Sequence, residues 1–326
     1  MDLMQDPDTL SCLDKTKMIK TLFIALLLIL GFVSTEVNAQ QRPVFSQYYF
    51  NPLAINPAFA GSQQDFNGSL LYRHQWVNVE GAPRLLTATA NTGIRGKKIG
   101  LGFVLSNERI GVHTDISLYF SYAYQIRFKD GAFSMGIQGG FTQLRSDFTQ
   151  LTLLNLNDPN LSGVMSKFNP NFGAGLLFEK SRFYAGFSIP YILNNKLQGG
   201  ADIQIAEART RRYYFLVVGK LFDLNPRLQI RPELVIRMQE EAPFGYDVNF
   251  KFIIDQRIGL GVIYRSGDAI ISTFEFQLNQ NLRIGYAYEW TLSDLNQFSR
   301  GTHEFMLSYR FKIRGLNRPD YCATYF

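Results

Sequence analysis

The chain has 326 residues, of which 46 % are hydrophobic, 14 % aromatic and 18 % charged, with a formal net charge of +6. A charged fraction below the roughly 25 % of soluble domains, a mean hydropathy of −0.07, and 28 Phe with 17 Tyr exclude both a bundle of membrane helices and a disordered chain. They fit a transmembrane β-barrel, whose lipid-facing and lumen-facing residues alternate and average out.

In chain order, Lys15, Lys17 and Lys20 form a basic n-region, and Leu22 to Phe32 is an apolar run. Val37-Asn38-Ala39 offers small residues for cleavage before Gln40. Residues 1–39 therefore read as a secretory signal peptide, too short for a spanning helix. The stretch before Met18 is largely polar, which makes Met18 a candidate start. No Cys stands at the cleavage point, so no lipoprotein is expected. Removing residues 1–39 takes away three Lys and five acids, leaving 30 basic and 22 acidic residues, net +8. These charges are spread along the chain rather than clustered, so nucleic acid is not an expected partner. A basic surface instead suits the anionic groups of outer-membrane lipid. Cys322 remains as a lone thiol, so no intrachain disulfide is expected.

Residues 40–65 differ from the rest of the mature chain. Pro43, Pro52 and Pro57 forbid a central strand, and Asn51-Pro52 and Asn56-Pro57 favour turns. The expectation is an ordered N-terminal non-barrel segment. Its aromatic residues would be costly to expose, so it is expected to fold into the periplasmic mouth, anchored by Phe45, Tyr48, Tyr49 and Phe59. A strap lying outside the barrel wall is the alternative.

From residue 66 to 312 the chain repeats segments of about ten residues with period-two alternation, punctuated by Gly, Asn, Asp or Pro. Ile116, Leu118, Phe120, Tyr122 and Tyr124 alternate with Ser117, Ser121, Ala123 and Gln125. Tyr246, Val248, Phe250 and Phe252 alternate with Asp247, Asn249 and Lys251. The predicted fold class is all-β, a transmembrane antiparallel β-barrel of about 14 strands, with 12 or 16 still open. The strands start near Phe66, Arg84, Lys98, Thr114, Gly131, Asn171, Arg182, Arg212, Arg227, Phe244, Arg257, Ala269, Asn281 and Thr302. Tight turns at Phe128–Asp130, Lys180–Ser181, Asp223–Pro226, Asp255–Gln256 and Asn279–Gln280 alternate with long loops at Ser146–Pro170, Tyr191–Arg211 and Thr291–Gly301. Short periplasmic turns and long external loops are the expected asymmetry, with both chain ends periplasmic. Residues 313–326 form a tail outside the barrel.

The search for chemistry is negative. His74, His113 and His303 fall on or beside different strands, and no HExxH, clustered Cys or G-x-S-x-G occurs. No catalytic residue, metal or cofactor is expected. Lumen-facing charges are the remaining candidates: Arg231, Glu233, Arg237, Lys251, Glu275, Arg283 and Glu289. They could form a selectivity surface for a polar or anionic ligand. The mixed signs favour a ladder of cross-strand ion pairs filling the interior.

The run from Phe45 through Gln47, Asn51-Pro52 and Asn56-Pro57 to Gly61 resembles the N-terminal signature of the PorP/SprF family. Tyr72-Arg73-His74-Gln75-Trp76, Gly81-Ala82-Pro83, Ile110-Gly111-Val112, Asn169-Pro170 and Phe172-Gly173-Ala174-Gly175 continue the resemblance in order. It implies a non-enzymatic outer-membrane protein of the type IX secretion and gliding machinery of Bacteroidota. Implied partners are a secreted protein with a type IX C-terminal signal, such as an adhesin, and a periplasmic component of the machine. Phe45, Gln47, Asn51, Pro52, Asn56, Pro57 and Gly61 carry over as structural or partner contacts. The alternative is a passive porin or hydrophobic-solute channel, which needs no such segment before its first strand.

Overall fold

Alternating residues from Phe66 onward pair into fifteen strands of one antiparallel sheet. The computed structural model describes residues 45–311 except 64, 95–96, 151–162, 196–210 and 241. All of these belong to the second of two units, 40–326. The expected signal peptide and C-terminal tail lie outside the described residues. No helix among the described residues is long and apolar enough to cross a membrane.

The strands are β1 Phe66–His74, β2 Arg84–Gly93, β3 Ile99–Ile110, β4 His113–Phe128, β5 Gly131–Asp147, β6 Val164–Lys180, β7 Phe183–Ile189 and β8 Tyr213–Lys220. They continue as β9 Phe222–Asn225, β10 Leu228–Gln239, β11 Gly245–Ile254, β12 Ile258–Arg265, β13 Ala269–Gln277, β14 Leu282–Thr291 and β15 Thr302–Phe311. Consecutive strands pair except β8 with β9, and β15 pairs with β1 from Phe66↔Phe311 to His74↔His303, closing the ring. β8 and β9 both pair with β10 and act as one interrupted strand. The result is a closed barrel of 14 staves, as the alternation predicts. The interruption has a local cause. Pro232 of β10 lacks the N–H that a continuous ladder would use, and it falls between Glu233, where pairing with β8 ends, and Ile230, where pairing with β9 begins.

Side-chain parity separates lipid from lumen. Phe120, Ile137 and Phe172 face outward and are 58–62 % exposed. Ser121, Gln138 and Asn171 face inward and are buried. One end of the barrel carries the tight turns at 129–130, 181–182, 226–227 and 255–257. The other carries the longer connections 75–83, 148–163, 190–212 and 292–301, together with two short ones at 111–112 and 266–268.

Two expected boundaries shift. Asp223 to Asn225 belong to β9, so the turn there is only Pro226 and Arg227. β6 starts at Val164 rather than Asn171 and runs 17 residues. Ser166 and Pro170 stand in its outward row among Val164, Phe168 and Phe172 and hide its alternation in the sequence. Pro170 is tolerated because its nitrogen faces the side of β6 on which no strand pairs: β7 meets only Ala174 to Lys180.

Candidate functional site: a filled lumen beneath an aromatic vestibule

Residues 45–63 occupy the interior of the barrel. They touch the wall on nearly every side, which no strap outside the wall could do. The route runs nearly the depth of the lumen. At the loop end the Phe45 carbonyl accepts from Arg265 Nη2 at 2.8 Å, and Arg265 closes β12. At the turn end Gly61 packs between Gly93 and Gly100. The segment is therefore not confined to the periplasmic mouth. From Phe45 near the loop end the segment descends to β1, which starts at the turn end.

The two Asn-Pro pairs bend the path. Pro52 and Pro57 each open a 3₁₀ turn, Pro52–Ala54 and Pro57–Phe59, where a missing N–H costs nothing. Asn51 Oδ1 accepts from Thr89 Oγ1 at 2.9 Å, fixing the first turn to β2. Asn56 Oδ1 accepts the Ala58 N–H at 2.9 Å, while its Nδ2 donates to the Leu176 carbonyl at 3.1 Å. Wall glycines make room for this backbone. A Cβ on Gly100 would lie 2.0 Å from the Ala60 carbonyl oxygen, and one on Gly136 2.2 Å from the Ala58 nitrogen. Gly61 itself has φ +64, and a side chain there would strike Gly100. Among the signature residues Gln47, Asn51, Asn56 and Pro57 are buried and Pro52 half-buried.

Charged wall residues clasp the segment at two levels. Nearer the loop end, the Ser46 N–H donates to Glu304 Oε2 at 2.9 Å and the Gln47 N–H to Glu304 Oε1 at 3.2 Å. Ser46 Oγ accepts from Arg73 Nη1 at 2.6 Å and donates to Glu289 Oε2 at 3.1 Å. Arg73 bridges Glu289 and Glu304, Arg265 bridges Glu289 and Asp247, and Arg237 pairs with Asp247. Burial is the main reason that the Tyr48 phenol, beside this cluster, is pushed above its ordinary range, against the pull of Arg237.

Nearer the turn end, Arg231 and Lys251 face each other across β10 and β11. The Tyr49 ring lies 4.2 Å from each of them, and Lys251 donates to the Tyr49 hydroxyl at 3.1 Å. Arg283 sits 4.2 Å from the Phe50 ring. Lys251 also pairs with Glu275, reaching across Gly259, whose missing side chain leaves the path clear. Glu233 accepts from the Tyr184 hydroxyl.

All seven expected lumen charges are thus buried in the wall. They do not share one surface. Arg237 and Glu289 join the loop-end cluster, Arg231, Lys251, Glu275 and Arg283 the turn-end one, and Glu233 stands with Tyr184. Arg73, Asp247, Arg265 and Glu304 complete the loop-end cluster and are absent from the sequence-derived set. Their parity was the available signal: Asp247 shares the inward face with Asn249 and Lys251.

Above the segment, at the loop end, is a small open cavity of about 100 Å³. Phe45, Tyr48 and Ile55 line it from the segment, and Thr87, Tyr191 and Phe215 from the wall. Among the described residues, Glu108 is the one charged group in its lining. Tyr191 is held inward by an edge contact with Tyr119, with ring centroids 5.2 Å apart. No group of three His, Cys, Asp or Glu among the described residues could hold a metal.

The family described as "Type IX secretion system membrane protein PorP/SprF" matches residues 37–309 of this chain. The barrel is similar to Omp33 of Acinetobacter baumannii, with 7 % identity, 78 % of this chain and 100 % of that one covered, and a TM-score of 0.44. It is also similar to the toluene transporter TodX of Pseudomonas putida, with 10 % identity, coverage of 84 % and 95 %, and a TM-score of 0.49. At these scores the likenesses say nothing about what this barrel handles. A stretch of 116 residues is 28 % identical to the deoxyuridylate hydroxymethyltransferase of Delftia phage PhiW-14, covering 32 % of each chain. The chain spans about a third of that enzyme's length, and no activity follows from the match.

Proposed function

The chain belongs to the type IX secretion system membrane protein PorP/SprF family, and from that premise we propose that it is a non-catalytic docking barrel. In this reading it holds a secreted protein, such as an adhesin, at the cell surface or supports its export. The leader 1–39 would deliver it through the inner membrane, and the turn end would meet periplasmic parts of the secretion and gliding machinery.

One observation carries the choice over a passive porin: the lumen is filled by the chain's own residues 45–63. A diffusion channel gains nothing from a segment clasped by Arg73, Glu289 and Glu304. A docking barrel gains a closed membrane and a rigid floor beneath the loop-end vestibule. Comparing the surface proteomes of a deletion strain, its complemented counterpart and the parent tests the reading. Loss of one or a few surface proteins, restored on complementation, is expected. An unchanged surface with impaired uptake of small solutes would favour the porin.

A further inference from the structure

We propose that the loop-end edge of β6, from Val164 to Phe168, is a strand-addition site for an extended segment of a secreted polypeptide. The inference rests on the surface-docking function and names how the partner is held.

The edge arises from unequal strand lengths. β5 and β6 pair along their whole length, from Gly131↔Lys180 to Asp147↔Val164. β7 has only 7 residues and covers β6 from Ala174 to Lys180. A membrane-crossing strand needs about 9–11 residues, so β6, with 17, carries its excess at the loop end.

Backbone direction alternates along a strand, and two bonds fix it here. The Phe172 carbonyl accepts from the Ile192 N–H at 2.8 Å, and the Pro170 carbonyl from Asn195 Nδ2 at 2.8 Å. Even-numbered residues therefore present their backbone groups on the β7 side. Ile192 and Asn195 of the loop after β7 reach this side of β6 at these two carbonyls. Among the described residues, none pairs with the N–H or C=O groups of Val164, Ser166 and Phe168 on that side.

A row of free N–H and C=O groups is recognised by another extended backbone, with few side-chain requirements. Proteins usually blunt such an edge with short strands, charge or a covering loop. Here it stands at the loop end, with exposed Val164 and Phe168 beside it. A strand from a secreted protein could continue the sheet where β7 stops short.

Proline separates this edge from the β5 side. Ser166→Pro with Phe168→Pro removes two donors on the open side and leaves the β5 ladder whole. Lys167→Pro breaks that ladder and serves as the misfolded control. The double variant should keep parental heat-modifiable migration. The surface proteins lost from the deletion strain should fall about tenfold or more, as the loss of two net hydrogen bonds requires. Parental surface levels in a folded double variant would overturn the proposal, and since the deletion strain still lacks those proteins, the docking function would stand. A deletion strain with an unchanged surface would instead remove the function itself.

Hydrogen exchange gives an independent reading that needs no variant. In the purified full-length protein the Ser166 and Phe168 amides should exchange at nearly solvent rates. In the complex isolated from cells with its surface protein they should be protected. Slow exchange in the isolated protein would mean that the chain covers its own edge, and a dimer that the double variant dissolves would mean that a second copy does. Either result overturns the proposal.

Discussion

Like charges placed opposite one another in a sheet repel, yet Arg231 and Lys251 stand in direct register and are almost fully buried. Tyr49 resolves the conflict by offering its ring to both at 4.2 Å. Cation–π contacts reach about 2 kcal/mol when desolvated, so Tyr49→Leu should cost about 2–4 kcal/mol, read as a lower urea midpoint for unfolding from detergent. Tyr49→Phe should lose much less, because it gives up only the hydroxyl bond to Lys251. Arg73 poses the opposite case. It is 2 % exposed and neutralises Glu289 and Glu304 together. Arg73→Met should destabilise by about 3–5 kcal/mol, the cost of leaving a buried charge without its partner. A midpoint within error of the parent would show that the cluster is wetter than its burial suggests. The seven inward charges were legible from strand parity alone. Arg73, Asp247, Arg265 and Glu304 were not legible as a cluster. They come from β1, β11, β12 and β15, and they meet only after β15 closes on β1 and the backbone of Ser46 and Gln47 arrives between them.

At the scale of single elements, period-two alternation located nearly every strand start within a residue or two, because lipid and lumen demand opposite side chains. It failed where that demand ends. The first residues of β6 lie beyond the length that a membrane-crossing strand needs, so polar Ser166 costs little on the outward row there, and Pro170 reads as a breaker until its open edge is known. Turn chemistry offers a sharper test. Asp255 and Gln256 both have positive φ, 48° and 54°, as a type I′ hairpin requires. A non-glycine residue in that region is strained by about 1–2 kcal/mol. Gln256→Gly should therefore stabilise the barrel by up to about 1 kcal/mol once the entropy of glycine is set against the relief. Unchanged or lower stability would mean that the turn is held by contacts to the Gln256 side chain. The last strand carries a second test. Phe305, Leu307, Tyr309 and Phe311 form an outward row, 43–54 % exposed. Phe311→Asp places a charge at the lipid face near the turn end, where the cost depends on depth and reaches a few kcal/mol at most. Reduced yield of heat-modifiable barrel is expected from it, and a parental yield would remove Phe311 from the assembly signal.

For the whole molecule the decisive property is whether the lumen conducts. Strand count sets the width of a barrel, and one of 14 staves leaves an interior that wall side chains alone do not fill. Here residues 45–63 supply the missing volume. Leu53, Ala58 and Ala60 are at most 1 % exposed, and the wall glycines at 100 and 136 leave no gap between wall and segment. That the segment is aromatic, turn-forming and unfit for a strand could be read from Phe45 to Gly61. How deep it reaches could not, since Asn-Pro turns set local bends and not the direction of travel. The depth comes from two fixed ends: Gly61 packed at the turn end and the Phe45 carbonyl bonded to Arg265 at the loop end. A segment seated only in the periplasmic mouth would leave the loop-end half open. One that runs nearly the full depth blocks ions along most of the lumen. In a planar bilayer the intact protein should therefore show little or no conductance, and a form lacking residues 40–61 should show a large, steady one. Weakening the clasp without shortening the chain should give an intermediate result: in Glu289→Gln with Glu304→Gln the acceptors for Arg73 and for the Ser46 and Gln47 N–H groups lose their charge, and charged hydrogen bonds are roughly twice as strong as neutral ones. Brief openings from a mostly closed baseline are expected from that variant. Equal, large and continuous currents from the intact and shortened proteins would show that the segment does not close the pore, and with that the case for a docking barrel over a channel would fail.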